Sequence, residues 1–163
     1  MSNIEKVIMA RDHLLRCARA LLVTVDNPEG APDIGSSPFW RDEEGCFYIY
    51  TSQLSAHVRG LLNGQDARFL IIADESHSQN IWARVRVNFE AECQVIQRNS
   101  DDFHEIIPKL EKAFGPTMSL IKSFEDFNLL KLTPTKGTLV TGFAAAFAVS
   151  GPLFDIGAQV KTS

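Results

Sequence analysis

The chain has 163 residues, the length of one ordinary domain, and enough to bury ~70% of its unfolded surface without disulfides or a structural metal. Apolar residues make up 45% and charged residues 22%, a balance that excludes wholesale disorder, collagen-like repeats and a coiled coil. Sixteen Lys and Arg against twenty Asp and Glu give a net charge of −4, which lacks the bulk electrostatic footprint of a nucleic-acid binder.

Apolar residues at Ile4, Val7, Ile8, Leu14, Leu15 and Ala18 recur at helical spacing, so an N-terminal helix is expected within residues 1–18. Ala20–Val25 is a short β-branched run ending at the turn signal Asn27-Pro28-Glu29-Gly30. Asp33–Trp40 reads as a strand. Pro38 has no N–H for a ladder, which assigns it to an edge or a bulge. After the turn Asp42–Gly45, the aromatic and β-branched run Cys46–Ser52 reads as the next strand. Ser55 is placed to cap a short helix over Ala56–Asn63, with Gly64 as its stop. Arg68–Ala73 is a further buried strand, and a charged loop over Asp74–Gln79 follows.

From Ile81 to Val95 the sequence alternates strictly. Ile81, Ala83, Val85, Val87, Phe89, Ala91, Cys93 and Val95 are expected on one face of a long strand, with Trp82, Arg84, Arg86 and their successors on the other. Ser100 caps a helix running to Phe114, stopped by Gly115-Pro116, with Pro108 marking a kink or its first turn. Met118–Phe124 adds a helical turn. Phe127–Leu132 and Thr138–Val149 read as two strands joined at Pro134–Gly137, and residues 150–163 form a C-terminal tail. Strands outnumber helices and follow one another as hairpins. The expected architecture is therefore mainly β with flanking helices (α+β), an antiparallel barrel in a single domain over residues 1–163.

Met1–Leu15 has no unbroken apolar core of the secretory kind, and the apolar stretch Leu139–Phe154 is interrupted and too short to span a bilayer, so a cytoplasmic protein is expected. Cys17, Cys46 and Cys93 form no CxxC pair and are expected as buried free thiols. GxGxxG, Walker A, HExxH, GxSxG and zinc-spaced Cys/His patterns are absent from the sequence.

The ordered set Gly35-Ser36-Ser37-Pro38-Phe39, Phe47–Ser52, Leu54-Ser55-Ala56-His57, Ile81–Arg86, Asp126-Phe127 and Gly137–Phe143 resembles the FMN-binding split barrels related to pyridoxamine 5′-phosphate oxidase. Within that superfamily it is most similar to the heme-utilization branch, the HugZ/HutZ-type proteins. The resemblance implies a six-stranded antiparallel split β-barrel, a homodimer, and two equivalent interfacial clefts for a planar cofactor, FMN or heme. It departs from the heme-degrading members in two places. Ala144 stands where the branch usually has glycine after Gly142-Phe143. Those members also carry an iron-ligating histidine in a C-terminal extension, whereas Gly151–Ser163 contains no histidine.

Candidate cofactor-binding residues follow. Arg84 and Arg86, expected on one strand face, suit a phosphate or propionate because guanidinium groups pair with such anions in bidentate fashion; the alternative is pairing with Glu90 or Glu92. The hydroxyls of Thr51 and Ser52, beside a helix start, can hold phosphate oxygens or simply cap the turn. His57 matches the region where the flavin oxidases carry a phosphate-binding lysine. Ser36, Ser37, Pro38 and Phe39 form the strand that, by resemblance, runs along the ligand's ring, with Phe39 equally suited to a barrel core. Tyr50 and Trp82 offer stacking surfaces or interface contacts. Asp126 is expected to cap a turn, and His13, His77 and His104 to be surface residues without ligand companions.

Overall fold

The computed structural model describes residues 1–161. Helix α1 (Asn3–Cys17) is followed by strands β1 (Ala20–Val25), β2 (Asp33–Pro38), β3 (Trp40–Arg41) and β4 (Phe47–Ser52). Then come α2 (Ala56–Leu62), β5 (Ala67–Ile72), β6 (Arg86–Ile96), α3 (Asp101–Phe114) and α4 (Pro116–Ile121). The chain finishes with β7 (Phe127–Gly142), β8 (Ala145–Ser150) and β9 (Asp155–Gln159). All nine strands belong to one antiparallel sheet, ordered β2-β1-β5-β6-β7-β4-β3, with β8 on β7 and β9 on β8. The sheet curls without closing, as a split barrel does. β1, β2, β4, β5 and β6 answer to five of the strands read from the sequence, the two read at Phe127–Leu132 and Thr138–Val149 are distributed over β7 and β8, and β3 and β9 are short additions. Pro38 ends the edge strand β2, which pairs only with β1, so its missing N–H costs no ladder bond.

Two apolar clusters hold the sheet. Inside the barrel, Phe47, Phe69, Phe89 and Phe154 pack with Leu21, Val23, Ile49, Ile71, Leu130, Leu132 and Leu139. Phe89 stacks on both Phe47 and Phe69 with centroids 5.4 Å apart, and Phe154 meets it edge-on at 5.1 Å. The second cluster lies outside, where α3 and α4 cover Tyr48, Tyr50, Ile96 and Leu129 with Phe103, Ile106, Ile107 and Met118. β4 is thus buried on both faces, which is why Phe47–Tyr50 is continuously apolar or aromatic instead of alternating.

Three expectations are corrected. Residues 81–83 form a 3₁₀ turn capped by the Asn80 carboxamide, not strand, so Arg84 lies outside the ladder and only Arg86 begins β6. The alternation in sequence continues through a segment whose backbone does not. The uniform inward face also fails: Val87 and Phe89 are buried, whereas Ile81, Cys93 and Val95 are exposed, because among the described residues no element covers the ends of that run. Finally, Phe127–Gly142 is one strand. Pro134 and Thr135 make a bulge opposite Glu90 and Ala91, with the Thr135 hydroxyl donating to the Glu90 carbonyl. The extra residue moves the inward positions of β7 from Leu130 and Leu132 to Leu139. The reversal falls instead at residues 143–144, between β7 and β8, where Ala144 takes φ 55°.

Candidate functional site

Antiparallel pairing places directly opposed residues on one face of the sheet. The row Ser36, Leu22, Leu70, Asn88, Thr138 and Ala148 runs across six strands on the outer face. That face carries Ile34, 72% exposed, and Leu22, 40% exposed. It also carries Ile72, paired to Arg86, which is paired in turn to Val140. At its edge opens a cleft of about 1170 Å³ between α1 and the segments flanking β5 and β6. Ala20 and Ile72 belong to both the outer face and the cleft wall.

Arg84 lines this cleft. Its Nε donates to the Ala73 carbonyl and its Nη1 lies 3.5 Å from the Glu75 carboxylate, leaving Nη2 without a partner among the described residues. Arg86 Nη1 donates to the Arg84 carbonyl at 2.9 Å, so Arg86 braces the backbone that presents Arg84. Glu90 pairs instead with Arg68 and Lys136 at 3.4 and 3.5 Å. The same cleft is lined by Met9, His13 and Cys17 from α1 and by His77 from the turn after β5. The helical spacing of Met9, His13 and Cys17 was legible in the sequence. What it did not reveal was that this face of α1 lies over a cleft shared with Arg84. Cys17 and Cys93 are exposed and only Cys46 is buried, a correction to the expectation of buried thiols.

The remaining candidates lie elsewhere. Ser36 and Pro38 are exposed on β2, whereas Ser37 points inward and donates to the Pro38 carbonyl. Phe39 is buried edge-on against Phe47 at 4.9 Å, in the core role that competed with ring contact. The Tyr50 hydroxyl donates to the Lys122 carbonyl at 2.8 Å, beneath α4. Ser52 Oγ donates to Asp126 at 2.6 Å, so each of these polar groups is satisfied within the chain. Thr51 is half-buried on β4 beside it. His57 packs its ring on Gly35, so closely that a Cβ there would stand 2.3 Å from the imidazole. Its Nε2 is buried without a partner, and burial holds its pKa below the ordinary 6.5. One chain therefore assembles two groups, Arg84 at the cleft, braced by Arg86, and His57 with Gly35 under β2.

Comparison with known proteins locates this geometry. A family described as pyridoxamine 5′-phosphate oxidase matches residues 9–141. Heme oxygenase HutZ of Vibrio cholerae serotype O1 is 31% identical over 130 residues, spanning 80% of this chain and 73% of that protein. This chain belongs to the pyridoxamine 5′-phosphate oxidase family, in its HutZ-type branch. Solved structures show the same fold. HutZ, described as a heme storage protein of Vibrio cholerae, superposes with TM-score 0.70 at 24% identity, over 76% of this chain and 86% of that one. Campylobacter jejuni ChuZ gives 0.82 at 23% identity, over 100% of this chain and 68% of ChuZ. A heme binding protein of Mycobacterium smegmatis gives 0.76 at 16% identity, over 91% and 59%. The split barrel expected from the sequence is the fold observed.

The cleft of this HutZ-type chain fits the chemistry of a heme. A macrocycle needs apolar walls, and Met9, Leu14, Ile72 and Val85 supply them. Propionates need a cationic donor, which Arg84 provides, and iron needs a nitrogen or sulfur ligand, which His13, His77 and Cys17 can provide. The fit to FMN is split. Arg84 suits its phosphate, but Arg86, Thr51, Ser52 and His57 do not line the cleft of the single chain.

Proposed function

We propose that two copies of this chain bind heme in clefts bordering a shared twofold seam, in a heme-utilization role of storage or oxidative breakdown. The observation that carries this reading is the cleft itself, with apolar walls, imidazole groups and the free Nη2 of Arg84 beside an exposed apolar sheet face. That Vibrio cholerae HutZ is a heme oxygenase, described also as a heme storage protein, and that the structurally similar Mycobacterium smegmatis protein binds heme support it. A partner seated on the outer face would form the rim at Ala20 and Ile72. It is also the means by which the separated groups around His57 and Arg84 could converge. Bound heme would supply a redox-active iron. The chain's own residues would hold the macrocycle, pair its propionates and limit water. Among the described residues no helix is long and apolar enough to cross a membrane. Three free thiols favour a reducing, cytoplasmic setting.

A second reading, an FMN-dependent oxidoreductase, is favoured by the family match over residues 9–141. One experiment separates the two. Purified protein is examined for a stoichiometric, releasable flavin and then titrated with hemin. The heme reading expects a sharpened Soret band saturating at one heme per chain. It also expects Arg84→Ala to weaken binding about tenfold or more, as befits a lost charged hydrogen bond of roughly 1.5–3 kcal/mol. Stoichiometric flavin with no saturable heme uptake would transfer the assignment to the second reading.

A further inference from the structure

We propose that His13, on α1, ligates the iron of heme in the cleft; this rests on the heme reading above. Met9, His13 and Cys17 stand at i, i+4 and i+8, and so share one face of the helix. The core-facing positions of α1 are Val7 and Leu14, which are buried. The Met9 face is different: Met9 is 56% exposed, His13 and Cys17 are exposed, and all three line the cleft. Thioether, imidazole and thiolate are the axial ligands of heme proteins, and here they occupy one stripe on the wall of a heme-sized opening that also holds Arg84.

His13 is the member of that stripe with a built neighbour. Cys17 Sγ lies 3.8 Å from its Nδ1 and 3.7 Å from its Nε2, and Arg16 Nη2 lies 3.3 Å from Nδ1. A guanidinium only donates, so the Arg16 contact leaves the ring proton on Nε2 in the ligand-free chain. Ligation through Nε2 moves that proton to Nδ1. The exposed Arg16 then turns away, and Cys17 Sγ is in reach to accept from Nδ1–H. A ligating histidine ordinarily has its second nitrogen held in this way. His77, the other imidazole of the cleft, sits on a three-residue turn, and its ring has no hydrogen-bond partner among the described residues. A ligand on a fifteen-residue helix is held more rigidly than one on such a turn.

The test is hemin titration of the full chain and its His13→Ala, His77→Ala and Cys17→Ala variants, read by absorption and electron paramagnetic resonance of the ferric form. Far-UV circular dichroism verifies each fold. We expect His13→Ala to shift the Soret band and weaken heme binding by roughly tenfold or more. Added imidazole should restore the native spectrum to that variant, and His77→Ala should leave the ligation signature unchanged. An unchanged spectrum in His13→Ala overturns the inference, as does loss of the signature in His77→Ala or Cys17→Ala while His13→Ala keeps it. Native protein that takes up no heme above an unrelated control fails the proposed function itself, a result distinct from heme bound by another ligand.

Discussion

Leu22→Lys tests the seam on which the functional reading depends. Leu22 sits in the centre of β1, between Ser36 on β2 and Leu70 on β5, and points outward. It is 40% exposed in the single chain, so a lysine there can carry its ammonium into water with its stem along the sheet. The isolated fold should lose no more than ~1 kcal/mol. In a twofold dimer the balance differs. Fully burying a leucine contributes ~1.5–3 kcal/mol, and two-fifths of that is still available at this position, or ~0.6–1.2 kcal/mol per copy. Symmetry doubles it to ~1.2–2.4 kcal/mol, a weakening of about 8- to 60-fold in dimer Kd. Desolvating two like charges at one seam adds further cost, so this range is a floor. Sedimentation equilibrium of native and variant protein reads the effect directly. A native chain that is monomeric at micromolar concentration, or a Leu22→Lys chain that dimerises as tightly as native, would refute the reasoning.

Phe89→Ala removes the ring on which Phe47, Phe69 and Phe154 converge, and should cost ~3–5 kcal/mol, seen as a fall of roughly 10 °C or more in thermal midpoint. A loss under 1 kcal/mol would contradict the assigned core. Gly35→Ala drives a methyl into the His57 ring and should cost ~1–3 kcal/mol, with His57→Ala relieving most of it; additive losses in the double-mutant cycle would refute the contact. His57 titrates below 6.5 in the folded chain because it is desolvated, so the unfolded chain binds its proton first. Its contribution to stability is present above pH 6.5 and is lost as pH falls through that value toward the lower folded pKa. An NMR titration of its ring with a midpoint at or above 6.5 would contradict this, and His57→Asn should flatten that part of the pH–stability curve.

Much of the ladder was legible because local chemistry and final position agree. Ser100 caps α3 with a hydroxyl that accepts from the Phe103 N–H, and α3 stops at Gly115, whose φ is 73°. The alternation Val87-Asn88-Phe89 matches a strand with one wet face. Errors arose where local signals have two outcomes. Pro134 and Gly137 read as a turn, yet the proline sits at a bulge. The glycine is required because a Cβ there would stand 2.0 Å from the Asn88 carbonyl across the ladder. The candidate site was legible in part. Arg84 was singled out for its guanidinium, and it does line the cleft. His13 and His77 have no ligand companions at local spacing, because the cleft they line is formed by elements far apart in the chain.

The chain's periodicities and turn residues were sufficient to determine a β-rich antiparallel fold and its helices, because each depends on neighbours within a few residues, and the ordered motifs from Gly35 to Phe143 carried the resemblance to the family. Tertiary structure alone decided which face of α1 meets a cleft, which rows of the sheet stay uncovered, and which polar groups are already satisfied. Tyr50 and Ser52 show the reason. A hydroxyl is a potential ligand donor in any sequence, and only the packing of α4 and the turn at Asp126 determines that these two are spent inside the fold.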